Sequence, residues 1–205
     1  MENVTIFYDS IRSSLFAGKI NQGGVDTINA ILSACDKHEV SSPQQIAYVL
    51  ATARHESYNL NLNPNWLPVR EGWGATNQSA INAVTSLFKQ GKISSNYALP
   101  LANGFSYYGR GFVQITHPGN YTSMGKRLGI DLYNHPDLAL DRDVAGEIIV
   151  VGMKEGIFTG KTLNTYFNAT TTDSLNARRI INGIDQQVRI SGYYDKFYAG
   201  IIAAG

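Results

Sequence analysis

The chain has 205 residues, a length that one domain or at most two domains would account for. Hydrophobic residues make up 43% and charged residues 16%, which supplies a core and excludes a disordered polyelectrolyte. The 17 Lys and Arg residues nearly balance the 16 Asp and Glu residues, so the net charge is +1. This balance argues against a dedicated nucleic-acid-binding protein, which normally carries a basic excess.

Three absences in the sequence limit the class of protein further. The single cysteine, Cys35, excludes an intrachain disulfide framework and a multi-cysteine metal site. No apolar run reaches the ~18 residues that a membrane span needs. Residues 1–5 lack the basic and apolar regions of a signal peptide, so the sequence predicts that the chain accumulates in the cytosol.

Helical periodicity dominates the first part of the chain. Apolar residues recur on one face through residues 4–15 and again through 25–35, which predicts two amphipathic helices. Cys35 lies on the second apolar face and is therefore expected to be a buried structural thiol. A third helix is predicted from Pro43 to about Glu56, with Ser42 as its N-cap and Gln45 completing a capping box.

Residues 57–106 are rich in Asn, Pro and Gly, which predicts long irregular loops with one short helix at about residues 80–88. Loops of this length in a compact chain are usually functional. Helical patterns return at residues 121–128, 144–151, 175–181 and 194–203. No alternation of strands and helices is present, so we expect a mainly α fold with a small β-hairpin in the loop region.

Two carboxylic acids are candidates for chemistry. Glu56 lies seven residues after Val49 on the core-facing stripe of the third helix, as expected of either a buried structural acid or a cleft acid. Glu71 is the only acidic residue between positions 57 and 130, so it is the only partner that the loops can offer. Two carboxyl groups flanking a bond are what glycoside hydrolysis requires. The alternative is that Glu71 pairs with Arg70 or with a loop amide.

A third cluster runs from Tyr107 to Thr116 and is followed by Asn120 and Tyr121. Val113 and Ile115 alternate with Gln114 and Thr116, so an extended segment would place the two polar side chains on one face. Aromatic rings and amides together suit sugars, and Trp66 and Trp73 in the loops could add stacking surfaces. The alternative is that these aromatic residues belong to the core.

Three segments resemble the motifs of glycoside hydrolase family 19, the chitinase-like family that includes many phage endolysins. They are, in chain order, Ala53-Arg54-His55-Glu56-Ser57, then Tyr107-Tyr108-Gly109-Arg110-Gly111-Phe112-Val113-Gln114-Ile115-Thr116 with Asn120-Tyr121, and Arg179-Ile180-Ile181-Asn182-Gly183. Phe112 stands where plant chitinases commonly have Pro, which favours the bacterial and phage branch. The resemblance covers nearly the whole chain.

The resemblance implies roles for individual residues. Glu56 matches the general acid, Glu71 the general base, and Thr116 the residue that helps to hold the attacking water. Substrate-binding positions follow from the same motifs; they are Tyr107, Tyr108, Gln114, Asn120, Asn182 and Arg189. The implied mechanism is a single displacement with inversion, without a metal or any other cofactor.

The resemblance also implies a lysozyme-like, chitinase-like helical fold. We expect one catalytic domain over residues 1–205, with a small lobe inserted at about residues 57–106 and no separate wall-binding or chitin-binding module. The expected function is that of an endolysin that cleaves the β-1,4 glycan of peptidoglycan. It would be a monomer made in the cytoplasm, released to the periplasm by a holin, without nucleic acid and without stable membrane insertion.

Two other functions remain open at this point. A bacterial chitinase acting on N-acetylglucosamine polymers would carry the same motifs, because chitin and peptidoglycan share the N-acetyl sugar. A catalytically silent glycan-binding protein is the second alternative, and retention of both Glu56 and Glu71 argues against it.

Overall fold

A buried central helix, α3 (Pro43–Ser57), is the element around which the fold is built. The computed structural model describes residues 3–205; Met1 and Glu2, which begin the N-terminal stretch considered above, lie outside the described residues. Every side chain from residue 47 to residue 53 is buried, so α3 is covered on all sides rather than on one apolar stripe. Three alanines in this run let neighbouring helices approach closely.

Seven further α-helices are present among residues 3–205. They are α1 (Val4–Leu15), α2 (Gln22–Lys37), α4 (Asn77–Lys89), α5 (Pro118–Leu128), α6 (Arg142–Glu155), α7 (Leu163–Tyr166) and α8 (Gln187–Ala203). Short 3-10 helices cover Glu71–Trp73, Pro136–Leu140 and Asn176–Ile180. Helices α2, α6 and α8 pack directly on α3, and α1 packs on α8. The prediction of a mainly α fold is confirmed.

The helix ends differ in part from their predicted chemistry. Ser42 is the N-cap of α3, but the predicted capping box is wrong, because the Ser42 hydroxyl donates to the side chain of Gln44. The Gln45 amide instead donates to the carbonyl oxygen of Phe167 at 2.8 Å, a tertiary contact that takes priority over the cap. The helix predicted at residues 175–181 is a 3-10 helix of five residues.

The small sheet joins two distant parts of the chain. Strand β1 (Val69–Arg70) pairs antiparallel with strand β2 (Arg110–Gly111), with Val69 opposite Gly111. Only one strand of the predicted hairpin therefore lies in the loop region, because β1 pairs with the glycine-containing segment that follows that region. A tight reversal after β2 returns the chain so that Ile115 bridges back to Arg110.

The segment between β1 and β2 has a small hydrophobic cluster of its own. Ala80 and Val84 of α4 pack with Ala98 and Tyr108 in this cluster, and all four side chains are buried. Trp66, by contrast, belongs to the main core and donates from its indole nitrogen to the Ser57 hydroxyl at 2.9 Å. Single-domain organisation with an inserted lobe at about residues 57–106 stays a prediction.

Arg110 is a cation in the protein interior. Its side chain is only 1% exposed, and its Nε lies 2.7 Å from a carboxylate oxygen of Asp137. Its Nη1 donates to the carbonyl oxygen of Ser106 at 2.9 Å and to the Tyr121 hydroxyl at 3.0 Å. The guanidinium also lies 3.7 Å from the centre of the Tyr108 ring. These contacts satisfy a charge that would otherwise be costly to bury.

Cys35 and α8 complete the core. Cys35 is buried, as predicted, and burial raises the pKa of its thiol to about 12. The apolar side of α8 packs on α1 and α3 through buried residues such as Phe197 and Ile201.

Among the helices of residues 3–205, none has the length and apolarity needed to cross a bilayer.

The Asp137 carboxylate is expected to stabilise the fold in a pH-dependent way. Partial burial opposes ionisation, but Arg110 and Arg70 together hold the pKa of Asp137 below its usual value. The stabilisation is therefore complete above the unfolded pKa of ~3.9 and is lost as the pH falls through the lower folded value. Asp137→Asn should cost about 1–2 kcal/mol at pH 7, a figure reduced for solvent screening of a half-exposed group.

Thermal unfolding between pH 3 and pH 7 measures this effect. Asp9→Asn is the matched control, since Asp9 forms an ion pair with Arg12 in which both side chains are exposed. The Asp137 variant should differ from the wild type at pH 7 and converge with it towards pH 3. An equal difference at both pH values would contradict the electrostatic explanation.

Candidate active site

Glu56 occupies the border between the core and solvent. It is the penultimate residue of α3, and its side chain is 19% exposed. Its carboxylate forms an ion pair and hydrogen bond with Nη1 of Arg178, a buried residue of the 3-10 helix Asn176–Ile180. Arg178 in turn donates from Nε to the carbonyl oxygen of Asp185 at 3.1 Å. Arg178, which is itself held by the Asp185 carbonyl oxygen, thus fixes the orientation of the Glu56 side chain.

His55, beside Glu56, does not add a second cation. Burial lowers the pKa of His55, and the positive charges of Arg178 and Arg189 lower it further, against the opposing effect of Glu56. The imidazole is consequently neutral at pH 7. Arg178 is therefore the charged group in direct contact with Glu56.

Glu71 begins the 3-10 helix that directly follows β1. The backbone N–H of Gly109 donates to its Oε2 at 2.9 Å, and the Tyr97 hydroxyl donates to its Oε1. The Glu71 backbone N–H also donates to the carbonyl oxygen of Gly109 at 2.8 Å. Of the two alternatives weighed for Glu71, the contact with a loop amide is present, whereas Arg70 pairs with Asp137 instead.

Tyr97 is a residue that sequence reasoning missed. It lies in the segment between α4 and β2, where no motif marks it. Burial raises the pKa of its hydroxyl, and the hydrogen bond to Glu71 raises it further, so Tyr97 is a neutral donor. Its ring makes an edge contact with the His117 ring at 5.1 Å between centroids. Glu71 is therefore held by two neutral donors from separate parts of the chain.

Gln114 and Thr116 do not lie on an extended segment, so that expectation is wrong. Residues 112–114 form a turn, and Gln114 has a φ of 56°, which an alternating strand does not allow. The Gln114 amide donates to the carbonyl oxygens of Val69 at 3.0 Å and Gly111 at 3.2 Å. Gln114 thus links the reversal after β2 to β1, beside the position of Glu71.

Thr116 directly follows this reversal and is partly buried. Its hydroxyl donates to the carbonyl oxygen of Gln114 at 2.8 Å. Thr116 does not cap the next helix, because the N-cap of α5 is His117 and no side chain caps it. The Asn120 amide donates to the carbonyl oxygen of Thr116 at 2.7 Å, which joins α5 to the same turn.

The two tyrosines of the motif are core residues. Tyr107 and Tyr108 are both buried, which corrects the expectation that they bind substrate through their ring faces. Tyr107 stacks on Tyr133 and donates to its carbonyl oxygen at 2.8 Å. Trp66 is also buried, whereas Trp73 is exposed and remains available for stacking.

Asn182 and Arg189 lie near the Glu56 end of the site. Both residues are exposed. The Asn182 backbone N–H donates to the carbonyl oxygen of Arg178 at 3.0 Å, so Asn182 directly follows the turn that carries the partner of Glu56. Arg189 belongs to the first turn of α8, and its charge acts on His55.

The candidate residues thus form two groups. Glu56, Arg178 and Asn182 make one group, at the end of α3. Glu71, Tyr97 and Gln114 make the other, around the β1–β2 pair. Among residues 3–205, no three His, Cys, Asp or Glu side chains are grouped so that they could hold a metal ion.

The first two of the three motifs lie within the part of the chain that matches a family model. The model of the glycoside hydrolase 19 family, Chitinase class I, matches residues 32–157, which is more than half of the chain. The chain belongs to glycoside hydrolase family 19. The matched range of this family 19 chain contains Glu56, Glu71 and Thr116, and it ends before Arg178 and Asn182.

Individual relatives match shorter parts of the family 19 chain. Inactive chitinase-like protein 1 of Hevea brasiliensis is 39% identical over 74 residues, which are 36% of this chain and 22% of that protein. Endochitinase 1 of Solanum tuberosum is 33% identical over 95 residues, or 46% of this chain and 28% of that protein. The chain therefore spans well under half of the length of these curated relatives.

A solved structure supports the fold over the whole chain. A bacterial family 19 chitinase aligns with a TM-score of 0.52 and 21% identity, covering 98% of this chain and 94% of that one. The agreement confirms the chitinase-like helical fold for this family 19 chain.

Thr116 can be tested by two substitutions with different expectations. Thr116→Ser keeps the hydroxyl and should have a small effect on turnover. Thr116→Val keeps the shape but removes donor and acceptor, and we expect turnover to fall ~10²-fold, as for loss of one positioned transition-state contact. Turnover per folded molecule and the melting temperature are measured on the same preparation. A lower melting temperature with unchanged turnover would contradict a catalytic role.

Tyr97→Phe tests whether the phenol positions Glu71. The ring and its contact with His117 remain, but the donor to Oε1 is lost, so kcat should fall about tenfold while KM changes little. Tyr198→Phe is the matched control, because Tyr198 stacks on Tyr194 of α8 away from the site. Equal kcat values for the two variants would refute the positioning role.

Proposed function

We propose that this chain is a glycoside hydrolase that cuts the β-1,4 glycan of bacterial peptidoglycan by an inverting mechanism. Glu56 is the general acid, Glu71 the general base, and Thr116 helps to hold the attacking water. The observation that carries the proposal is the way in which Glu71 is held. Glu71 is the only acid between residues 57 and 130, and it accepts hydrogen bonds from Tyr97 and from Gly109 of the family motif.

The reaction is a single displacement. Glu56 gives its proton to the glycosidic oxygen as the bond from that oxygen to the anomeric carbon breaks. Glu71 takes a proton from a water molecule, whose oxygen forms the new bond to the anomeric carbon from the opposite face. This geometry needs carboxyl groups ~6.5–9.5 Å apart to leave room for the water. Glu56 ends the cycle ionised and Glu71 protonated, and exchange with solvent restores both.

The two carboxyl groups are held in ways that suit these different tasks. Glu56 must carry a proton when it acts, so its ion pair with Arg178 corresponds to the ionised form that it reaches after delivering that proton. The Arg178 guanidinium stabilises this anion at direct contact. Glu71 must accept a proton, and the groups that hold it, a phenol and a backbone amide, are neutral. A cation in contact with Glu71 would weaken it as a base.

Substrate contacts follow from exposure and position. Asn182, Arg189 and Trp73 are exposed and are proposed to bind the sugar chain. Gln114 and Asn120 are proposed to shape the cleft beside Thr116, through which they are linked.

Peptidoglycan is proposed as substrate for a physical reason. Residues 3–205 form their core with one buried free thiol and without a disulfide, which suits an enzyme that is made in a reducing cytoplasm. We propose that it acts as a monomeric endolysin in the periplasm after release by a holin, without nucleic acid and without stable membrane insertion.

The relatives favour two alternatives. Endochitinase 1 of Solanum tuberosum is named for chitin hydrolysis, so a chitinase acting on N-acetylglucosamine polymers is the second candidate. The Hevea brasiliensis relative is named an inactive chitinase-like protein, so a silent glycan-binding protein is the third. Holding contacts on both Glu56 and Glu71 favour an active enzyme over this third candidate.

Glu56→Gln tests the mechanism and the substrate together. The amide has the same shape but cannot donate the proton, so turnover per folded molecule should fall by ~10²–10⁴-fold. The amide also leaves the buried Arg178 guanidinium without its anion, so the melting temperature should fall and is measured on the same preparation. Turbidity of permeabilised Gram-negative cells and hydrolysis of soluble chitin oligomers are measured in parallel. Glu39→Gln is the matched control, since the Glu39 side chain is almost fully exposed.

Each candidate function has its own outcome in this experiment. Clearing of cells that is much faster than oligomer hydrolysis supports the endolysin, and the reverse supports the chitinase. No turnover on either substrate by the wild type supports the silent protein. Wild-type turnover by the Glu56 variant would remove Glu56 from the mechanism.

A further inference from the structure

A cavity of about 510 Å³ lies on the Arg110 side of the β1–β2 pair. One wall is the segment that leads into β2, with Pro100 and Phe105, and the other is the 3-10 helix Pro136–Leu140, with Asp137 and Leu138. Neither Glu56, Glu71 nor Thr116 lines it. The volume lies within the range of small-molecule sites.

Phe105 lines this cavity from a loop that is fixed by hydrogen bonds. Its carbonyl oxygen accepts from the Leu101 N–H at 2.9 Å, and its own N–H donates to the Asn103 side chain at 3.1 Å. The ring is nevertheless 37% exposed, and Leu138 on the facing wall is 39% exposed. An apolar ring fixed in an exposed position is an anchor for a ligand that has an apolar face.

The Arg110, Asp137 and Asp141 side chains in the walls already have hydrogen-bonding partners within the protein. Arg110 is bound to Asp137, and Asp141 accepts from the N–H groups of Asp143 and Val144 at the start of α6. The other polar side chains of the lining include those of Asn77, Asn134 and His135. This combination suits a neutral ligand with apolar faces, hydroxyls and amides.

We propose that this cavity binds an N-acetylglucosamine unit of the glycan, separately from the hydrolytic site. The sugar's C–H face lies against Phe105, and its hydroxyl and acetamido N–H groups donate to the side-chain oxygens of Asn134 and Asp137, which keep accepting capacity beside their present partners. Such a site would keep the enzyme on the polymer while the cleft is empty. The inference rests on the proposed function in one respect, namely that the substrate is a glycan containing N-acetylglucosamine.

The test is a titration with the β-1,4-linked trisaccharide of N-acetylglucosamine, followed by NMR. The full chain carrying Glu56→Gln is used so that the probe is not hydrolysed. We expect shifts at the backbone amides of Phe105, Ser106 and Asn134. Phe105→Ala should weaken binding at these amides at least about tenfold, as for loss of an aromatic anchor. Phe88→Ala is the matched control, because Phe88 is an exposed phenylalanine outside the cavity.

Leu138→Ala provides a second variant from the opposite wall and should also weaken binding. Co-sedimentation with peptidoglycan sacculi and with insoluble chitin separates the two sources of the sugar. Phe105→Ala should reduce binding to both polymers, since both contain the recognised unit. Absence of shifts at the cavity, equal affinities for the Phe105 and Phe88 variants, or loss of binding to sacculi alone would each overturn the proposal.

The rate of hydrolysis of soluble oligomers distinguishes a failure of the cavity proposal from a failure of the proposed function. In an otherwise wild-type chain, Phe105→Ala should leave that rate unchanged. If the wild type hydrolyses nothing, the proposed function fails, while the NMR shifts still decide whether the cavity binds the sugar.

Discussion

The burial of one guanidinium determines how the loops of this protein are arranged. Arg110 can neither lose its charge nor reach water, so its donors must find acceptors inside the protein. Those acceptors come from Ser106, Tyr121 and Asp137, which are far apart along the chain. Segments with little regular structure of their own are thereby held in one arrangement. Gly109, whose N–H contacts Glu71, directly precedes Arg110 in the chain. Burial of Arg110 therefore positions this N–H.

Glu56 is held through a different kind of contact. Its partner Arg178 is also a buried guanidinium, but here the carboxylate lies at the boundary with solvent. The protein thus uses one buried arginine to order the loops and another to orient a carboxylate at the end of α3. Both arginines donate to backbone carbonyl oxygens as well as to an acid, which fixes the direction of each side chain.

The parts of the structure that the sequence predicts well depend on local periodicity. Helices α1, α2 and α6 follow from repeated apolar spacing, and the position of Glu56 follows from its distance to Val49 on the same helix. The alternation of polar and apolar residues around Gln114 and Thr116 is too short to distinguish a strand from a turn. The positive φ of Gln114 cannot be read from the sequence, because the residue type does not reveal it. Tyr97 could not be predicted because its hydroxyl meets Glu71 through tertiary packing alone.

The burial of Cys35 has a practical consequence for measuring the stability of the fold. Only the thiolate reacts with thiol reagents, and a pKa raised to about 12 leaves almost none of it in the native state near neutral pH. The thiol lies on the buried side of α2, within the main core. A reagent can therefore modify the chain only when that core opens. Because Cys35 is the one cysteine in the sequence, the rate of modification directly counts opening events, without a label being introduced.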